Sequence, residues 1–199
     1  FIERIDTRRP GPGPFHETTL AFLDDLSRRL LSDASARAFP EIVALAFWLR
    51  KGNLAGITAG FDRSLGQGEI AQPLGLAFHV APSNVDTIFV YSWALSLLAG
   101  NSNIVRVSQT LSPQMETLLS TLSEMTLDSR WREIWQNNAV LTYAHSEAVS
   151  SALSAMADVR VLWGGDRSVS HLRSFAGPPG SRDIAFVDKI SATVVHAER

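Results

Sequence analysis

The stretch that most constrains the fold of this chain is Pro73–Ser108. It contains two short apolar runs, Leu74–Val80 and Asn103–Val107, separated by a long apolar helical pattern at about Val85–Leu98. Gly100 follows this pattern, and glycine is the usual residue just past the end of a helix. Strand, helix and strand in this order predict a βαβ unit with two parallel strands. Parallel strands are buried on both faces and therefore read as continuous apolar runs, as these two do.

After this unit the alternation of strands and helices continues. Helices are predicted where a cap residue precedes an apolar stripe, which happens after Ser112 and after Ser146, and a third helix is predicted at Ser168–Phe175. Short apolar runs predict four further strands, at Ala139–Thr142, Val159–Trp163, Ile184–Val187 and Ala192–Val195. The sequence therefore predicts an α/β fold with a doubly wound, mostly parallel, Rossmann-like sheet.

The residue pattern in the first part of the chain predicts helices rather than strands. It begins with a polar stretch that ends in the Pro/Gly run Arg9–Pro14, which is typical of an extended arm or linker. Apolar residues at helical spacing then predict helices at Phe15–Leu31 and Phe39–Trp48. Pro40 is suited to the first turn of the second helix.

A turn and a loop are predicted between this helical part and the sheet. Lys51–Asn53 supplies a cation and a glycine that are expected to close the second helix. The polar, Gly-rich stretch Phe61–Gln72 predicts a loop or an irregular hairpin. We therefore divide the chain into an N-terminal arm and helical segment, residues 1–67, and a dinucleotide-binding α/β domain, residues 68–199.

The composition excludes several classes of function. A net charge of −2 gives no electrostatic case for binding nucleic acid or an anionic membrane. No apolar run is long enough to span a bilayer, and no signal peptide is visible at Phe1. The absence of cysteine excludes disulfides, thiolate metal sites and a cysteine nucleophile within this chain, and fits a cytoplasmic location. We expect no metal, and the sequence leaves open a homo-oligomer or partner subunits.

Three turns at predicted strand ends are candidates for chemistry, because ligands of such sheets bind at the carboxyl ends of the strands. The first is Pro82-Ser83-Asn84. The amide of Asn84 can donate a hydrogen bond to an oxyanion, as acyl transfer requires. The alternative is that Asn84 caps the following helix, a role that Asn favours. His79 is flanked by apolar residues, so a hydrogen-bonded core histidine is a better interpretation than a catalytic base.

The other two turns follow later strands. Trp163-Gly164-Gly165-Asp166 joins a strand to a helix N-terminus, an arrangement that binds anions through free backbone N–H groups. Asp166 would disfavour a phosphate, and Asp is itself a common N-cap residue. Arg106-Val107-Ser108-Gln109 places a cation where a nucleotide ribose or its phosphate can bind. The alternative there is a solvated arginine at a strand end.

Together these segments resemble the cofactor-binding core of the aldehyde dehydrogenase superfamily. The family order P-W-N, A-L-x-x-G-N, V-x-K-P-x-E, T-P and F-T-G-S is similar to five segments here, namely Pro82–Asn84, Ala94–Asn101, Ile104–Gln109, Ser112-Pro113 and Trp163–Asp166. The departures resemble one branch, the acyl-CoA reductases typified by the fatty acid reductase of bacterial luminescence. This resemblance extends over about residues 68–198.

The resemblance implies an activity. The family reduces an acyl thioester, on coenzyme A or a carrier protein, to an aldehyde with a nicotinamide cofactor and a cysteine-bound acyl enzyme. That cysteine lies downstream in the family, so we expect this chain to be the N-terminal, cofactor-binding portion without the catalytic domain. Two alternatives come from other classes: a free-standing nucleotide-binding module or non-catalytic partner subunit, and a structural relative that binds no cofactor.

The resemblance also implies roles for single residues. Asn84 matches the oxyanion-hole asparagine, and Arg106 matches a lysine that reaches the adenosine ribose. Asp166 replaces the usual serine of the phosphate turn, so Ser168 is expected to substitute for it, and no residue is assigned as general base. The residues expected to bind the cofactor are Pro82, Ser83, Arg106, Ser108, Gln109, Gly164, Gly165 and Ser168.

One departure from the family pattern predicts the cofactor. The family has a glutamate at the position of Gln109, which accepts hydrogen bonds from the ribose hydroxyls in NAD-preferring members. A carboxylate there would repel a 2′-phosphate, and Gln109 removes that repulsion. Arg106 adds a planar, always charged donor suited to phosphate. We therefore expect NADP(H) to be bound in preference to NAD(H).

Overall fold

The architecture is a single parallel sheet, seen in a computed structural model that describes residues 12–82, 84–188 and 193. The sheet order is β3-β2-β1-β4-β5, with every neighbouring pair parallel. The strands are β1 Leu76–Val80, β2 Ser102–Arg106, β3 Asn138–Leu141, β4 Val159–Trp163 and β5 Arg182–Phe186. Because β1 and β2 pair in parallel, the predicted βαβ unit is confirmed. The strand order reverses between β1 and β4, which creates a switch point there.

Helices cover both faces of this sheet. Those described are α1 Glu17–Ser32, α2 Ala34–Arg37, α3 Pro40–Trp48, α4 Lys51–Ser64, α5 Ile88–Leu98, α6 Pro113–Leu127, α7 Arg132–Gln136, α8 Glu147–Met156 and α9 Asp166–Arg173. One core packs α1, α3, α5 and α6 on one face, and a second packs α8 and α9 on the other. The doubly wound, Rossmann-like α/β prediction is confirmed. No helix in the described part of the chain is long and apolar enough to cross a membrane.

Several helix ends form where the sequence places its cap residues. The Ser112 hydroxyl accepts a hydrogen bond from the Met115 N–H at 3.0 Å and caps α6. Ser146 caps α8 in the same way. Gly100 follows α5 with a φ of 82°, and a Cβ there would lie 2.6 Å from the Pro12 carbonyl oxygen. Only glycine meets both requirements, of which the positive φ belongs to the local helix end and the close approach to the packing of residue 12.

The segment after Trp48 is helical where the sequence predicts a turn and a loop. Since α4 begins at Lys51, the interpretation of Lys51–Asn53 as a helix end is wrong, and the loop predicted at Phe61–Gln72 starts only after Ser64. Leu54 is fully buried in the core, whereas Gly56 has open space around its Cβ position. Burial of Leu54, about 1.5–3 kcal/mol, offsets much of the cost of about 1 kcal/mol for each helical glycine.

Other boundaries shift by smaller amounts. The helix predicted from Val85 begins at Ile88 with Thr87 in the N-cap position, so the interpretation of Asn84 as its cap is wrong. The other predicted boundaries lie within two residues of those observed, which is the usual scatter, whereas α2 and α7 were not predicted. The strand predicted at Ala192–Val195 lies outside the described residues, apart from Thr193.

The N-terminal helices share a core with the α/β part. Phe22 of α1 packs edge-on against Trp93 of α5 and against Trp131, with ring centroids 5.8 and 5.5 Å apart. One turn along α1, the Asp25 carboxylate accepts hydrogen bonds from Arg29 and from the Trp131 indole. Burial by itself raises the pKa of Asp25, but the two hydrogen bonds lower it by more. The pKa of Asp25 therefore lies below its usual value. The division at residue 67 stays a prediction.

A chain of polar side chains is buried between the sheet and α5. His79 on β1 is 1% exposed and bonds through Nδ1 to Ser92 Oγ and through Nε2 to Asn103 Oδ1, both at 3.0 Å. The Asn103 amide donates to the Asn138 Oδ1, which also accepts from the Trp93 indole. Because the Asn103 oxygen that faces His79 can only accept a hydrogen bond, His79 is the donor and its Nε2 carries the proton. The interpretation of His79 as a core histidine is confirmed.

Stability should depend on the protonation of His79. Burial lowers the pKa of His79 from 6.5 to about 4, against a hydrogen bond to Asn103 that raises it. Between these two values the unfolded chain binds more protons than the folded chain, so stability falls as the pH falls. The loss from pH 6.5 to pH 4 should reach about 3 kcal/mol in urea unfolding. The variant His79→Gln should lose most of this slope, and an unchanged slope would contradict the assignment.

Candidate functional site

A cleft of about 810 Å³ lies at the carboxyl ends of the strands. Four strands contribute their last residue to its lining, namely Val80, Arg106, Trp163 and Phe186. Because the strand order reverses between β1 and β4, this is where open α/β sheets bind their ligands. The volume lies within the range of small-molecule and cofactor pockets.

Most of the residues that the sequence predicts for a site line this cleft. Those in its walls are Pro82, Asn84, Arg106, Gly164, Gly165 and Ser168. Ser83 lies outside the described residues. Ser108 and Gln109 follow β2 but are not among the described residues that line the cleft, and Gln109 is exposed. The roles predicted for all of these residues stay predictions.

Arg106 is built into the cleft wall rather than fully solvated. Its guanidinium carbon lies 5.4 Å from the ring centroid of Tyr143, within cation–π range. Its Nε is buried and has no hydrogen-bond partner among the described residues. A buried donor without an acceptor costs free energy, and an acceptor on a ligand would remove that cost. This unpartnered donor is the observation that best fits a bound anionic or hydroxyl-bearing group.

The turn after β4 directs a helix N-terminus into the same cleft. Gly164 has a φ of 155° and donates its N–H to the Phe186 carbonyl oxygen at 3.2 Å. Gly165 is the N-cap residue of α9 and no side chain caps it, so the interpretation of Asp166 as the N-cap is wrong. The first-turn N–H groups of α9 are therefore available to an acceptor. A Cβ on Gly165 would crowd Asp188 Oδ2 at 3.0 Å.

The two sides of the cleft differ in polarity. One side is apolar and includes Val85, Ile88 and a face-to-face stack of Trp163 on Phe186, with ring centroids 3.8 Å apart. The other side is polar, with Glu147 Oε1 3.4 Å from His171 Nε2 between α8 and α9. Such a cleft suits a ligand with both an aromatic or apolar part and a polar part.

Sequence reasoning named Trp163 in a candidate turn but missed Tyr143 and the stacking of Trp163 on Phe186. Tyr143 follows β3 and carries the ring below Arg106, and Trp163 pairs in register with Phe186 at the ends of β4 and β5. An aromatic residue at a strand end is the sequence signal that could have found both. Its meaning depends on which strands are neighbours, which sequence order alone does not give. No group of three or more His, Cys, Asp or Glu side chains suited to a metal ion occurs in the described part of the chain.

Arg160 joins β4 to β5 and to the end of α9. It lies on β4, is 6% exposed, and makes two hydrogen bonds to Asp183 of β5, at 2.6 and 2.9 Å. Its remaining Nη1 donates to the carbonyl oxygens of Leu172 and Phe175 at the end of α9. One cation thereby fixes both the edge strand and the helix whose N-terminus enters the cleft, a geometry that the bidentate guanidinium allows.

Comparisons with known proteins identify the family of this chain. The family model described as acyl-CoA reductase (LuxC) matches residues 60–199. A long-chain acyl-protein thioester reductase of Aliivibrio fischeri is 26% identical over 131 residues, which is 65% of this chain and 26% of that protein. The chain thus spans about a quarter of the length of this curated relative. Because the family model covers more than half of the chain, the chain belongs to the acyl-CoA reductase (LuxC) family.

Proposed function

We propose that this chain is the cofactor-binding portion of an NADP(H)-dependent acyl-CoA reductase. Residues 68–199 form the dinucleotide-binding domain, and the reductase converts an acyl thioester, on coenzyme A or a carrier protein, to an aldehyde. The acyl-accepting cysteine lies outside this chain, since the 199 residues contain none. The observation that carries the proposal is the cleft at the switch point, with the unpartnered Nε of Arg106 and the uncapped N-terminus of α9 in its walls.

The residues of the cleft fit a nicotinamide dinucleotide. The first-turn N–H groups of α9 face a phosphate group, with Ser168 as an additional hydroxyl donor. Arg106 binds the ribose and its 2′-phosphate, because a guanidinium matches phosphate with parallel donors. Gln109 is exposed outside the cleft lining, so the preference for NADP(H) depends mainly on Arg106.

Asn84 has a separate role in this proposal. It is exposed at the mouth of the cleft, in the loop that follows β1. Its side-chain amide donates a hydrogen bond to the thioester oxygen as negative charge develops there, and such electrostatic stabilisation is usually the largest single contribution to catalysis. A bound nicotinamide supplies the hydride. His79 takes no part as a base, because it is buried and both ring nitrogens are hydrogen-bonded.

Calorimetric titration with NADP⁺ and NAD⁺ at low salt tests the cofactor proposal. NADP⁺ should bind more tightly, and Arg106→Ala should weaken NADP⁺ binding by about tenfold or more, since a charge-assisted pair is lost. Binding of NAD⁺ should change much less, because it lacks the 2′-phosphate. Arg63→Ala, which removes an exposed cation of α4, is the matched control and should change neither affinity. A preference for NAD⁺, or equal losses for both cofactors in Arg106→Ala, would overturn the assignment.

The isolated chain should not reduce thioesters. A covalent acyl intermediate requires an activated nucleophile, and the cysteine that the family uses is absent. Incubation with a long-chain acyl-CoA and NADPH should give neither NADPH oxidation above background nor an acyl adduct in intact-mass spectra. Ser83→Ala serves as the comparison, because Ser83 is the hydroxyl next to Asn84. An adduct that this substitution abolishes would show an alternative nucleophile and refute the prediction.

A further inference from the structure

A side-chain hydrogen bond joins the loop after β1, which lines the cleft, to the N-terminus of α6. The Asp86 carboxylate, in the loop between β1 and α5, accepts a hydrogen bond from the Ser112 hydroxyl. The same Ser112 oxygen accepts from the Met115 N–H and caps α6. Both side chains are half-buried. A hydroxyl has one proton and two lone pairs, so Ser112 can serve both partners at once.

This bond lies where it can set the position of the loop between β1 and α5, which carries Asn84 and is called the Asn84 loop below. At its start, the loop is held to β2 by the Ala81 N–H, which donates to the Arg106 carbonyl oxygen at 2.9 Å. Two residues after Asn84, Asp86 makes the one side-chain hydrogen bond that the structure describes between this loop and α6. The N-terminus of a helix also attracts a carboxylate through the helix dipole. Asp86 is therefore held both by a hydrogen bond and by the field of α6.

We propose that Asp86 and Ser112 are positioning residues that hold the Asn84 loop against the cleft. The proposal rests on the proposed cofactor function and assigns the two parts of the dinucleotide to different residues. Arg106 would set the affinity for the phosphorylated adenosine half. The Asp86–Ser112 bond would set the affinity for the part of the dinucleotide next to the Asn84 loop. Neither Asp86 nor Ser112 lines the cleft in the described part of the chain, so both act through the loop.

The test compares two probes, NADPH and adenosine 2′,5′-bisphosphate, on the full chain. In Asp86→Ala and in Ser112→Ala, NADPH affinity should fall about tenfold, because each variant loses a hydrogen bond to a charged group that positions the Asn84 loop. The affinity for the bisphosphate should stay within about twofold, because this probe lacks the part of the dinucleotide next to that loop. Ser112→Thr keeps the hydroxyl and should restore NADPH affinity. The double variant should bind NADPH no more weakly than Asp86→Ala, since both substitutions remove the same bond.

Melting temperatures separate positioning from simple destabilisation. Ser112→Ala also loses the cap of α6 and should melt below Asp86→Ala, although both should lose the same NADPH affinity. Equal losses for both probes, or NADPH affinities that follow the melting temperature, would overturn the positioning role. A chain that binds neither probe would refute the proposed function instead. A chain that binds both, and whose Asp86→Ala variant keeps its NADPH affinity, would refute the positioning role alone.

Discussion

Hydrogen bonds among side chains buried beneath α5 are the constraint on which the sheet depends. The central strands β1 and β2 are covered on both faces, so any polar side chain on them must find its partner inside the protein. His79 and Asn103 lie on the same face of β1 and β2, and Asn138 continues the line on β3. The donors and acceptors of this chain can be assigned in only one way. The Asn138 amide nitrogen donates to the Ile134 carbonyl oxygen, so its side-chain oxygen is the group that accepts from Asn103. A shift of one residue in any of these strands would turn its side chains to the other face and leave buried polar groups unpaired.

The other half of the sheet, β4 and β5, is held by an ion pair instead of by amide hydrogen bonds. Between β4 and β5 the Arg160–Asp183 pair takes the place of the amide chain, and Arg160 extends it to the last turn of α9. The switch point lies between these two differently built halves, because β1 belongs to the first and β4 to the second. Both walls of the cleft are thus attached to packed cores, while the loops between them carry Asn84 and Gly165. Loops that a packed scaffold holds in this way are where binding residues commonly lie.

Local sequence was enough to predict some features but not others. The caps at Ser112 and Ser146 and the turn at Gly100 depend on residues within one turn of the chain, and they lie where the sequence predicts them. The extent of α4 depends on tertiary burial of Leu54, and sequence alone shows only its glycines. In the cleft, sequence order indicates which segments end at the carboxyl edge, but the ring of Tyr143 under Arg106 requires knowledge that β2 and β3 are neighbours.

The charges in the cleft suggest how an anionic cofactor would be recognised. Arg106 and Arg167 face it together with Glu147 and Asp188, so the formal charges of these four side chains cancel. The whole chain carries a net charge of −2, and long-range attraction of a phosphate-bearing ligand is therefore weak. Recognition must come from donors at contact distance, which are worth most where water is excluded. The buried Nε of Arg106 is such a donor, and an acceptor placed there would gain a bond that the described protein atoms do not supply. Selectivity in this cleft would then depend on the fit of one or two oriented donors rather than on its overall charge.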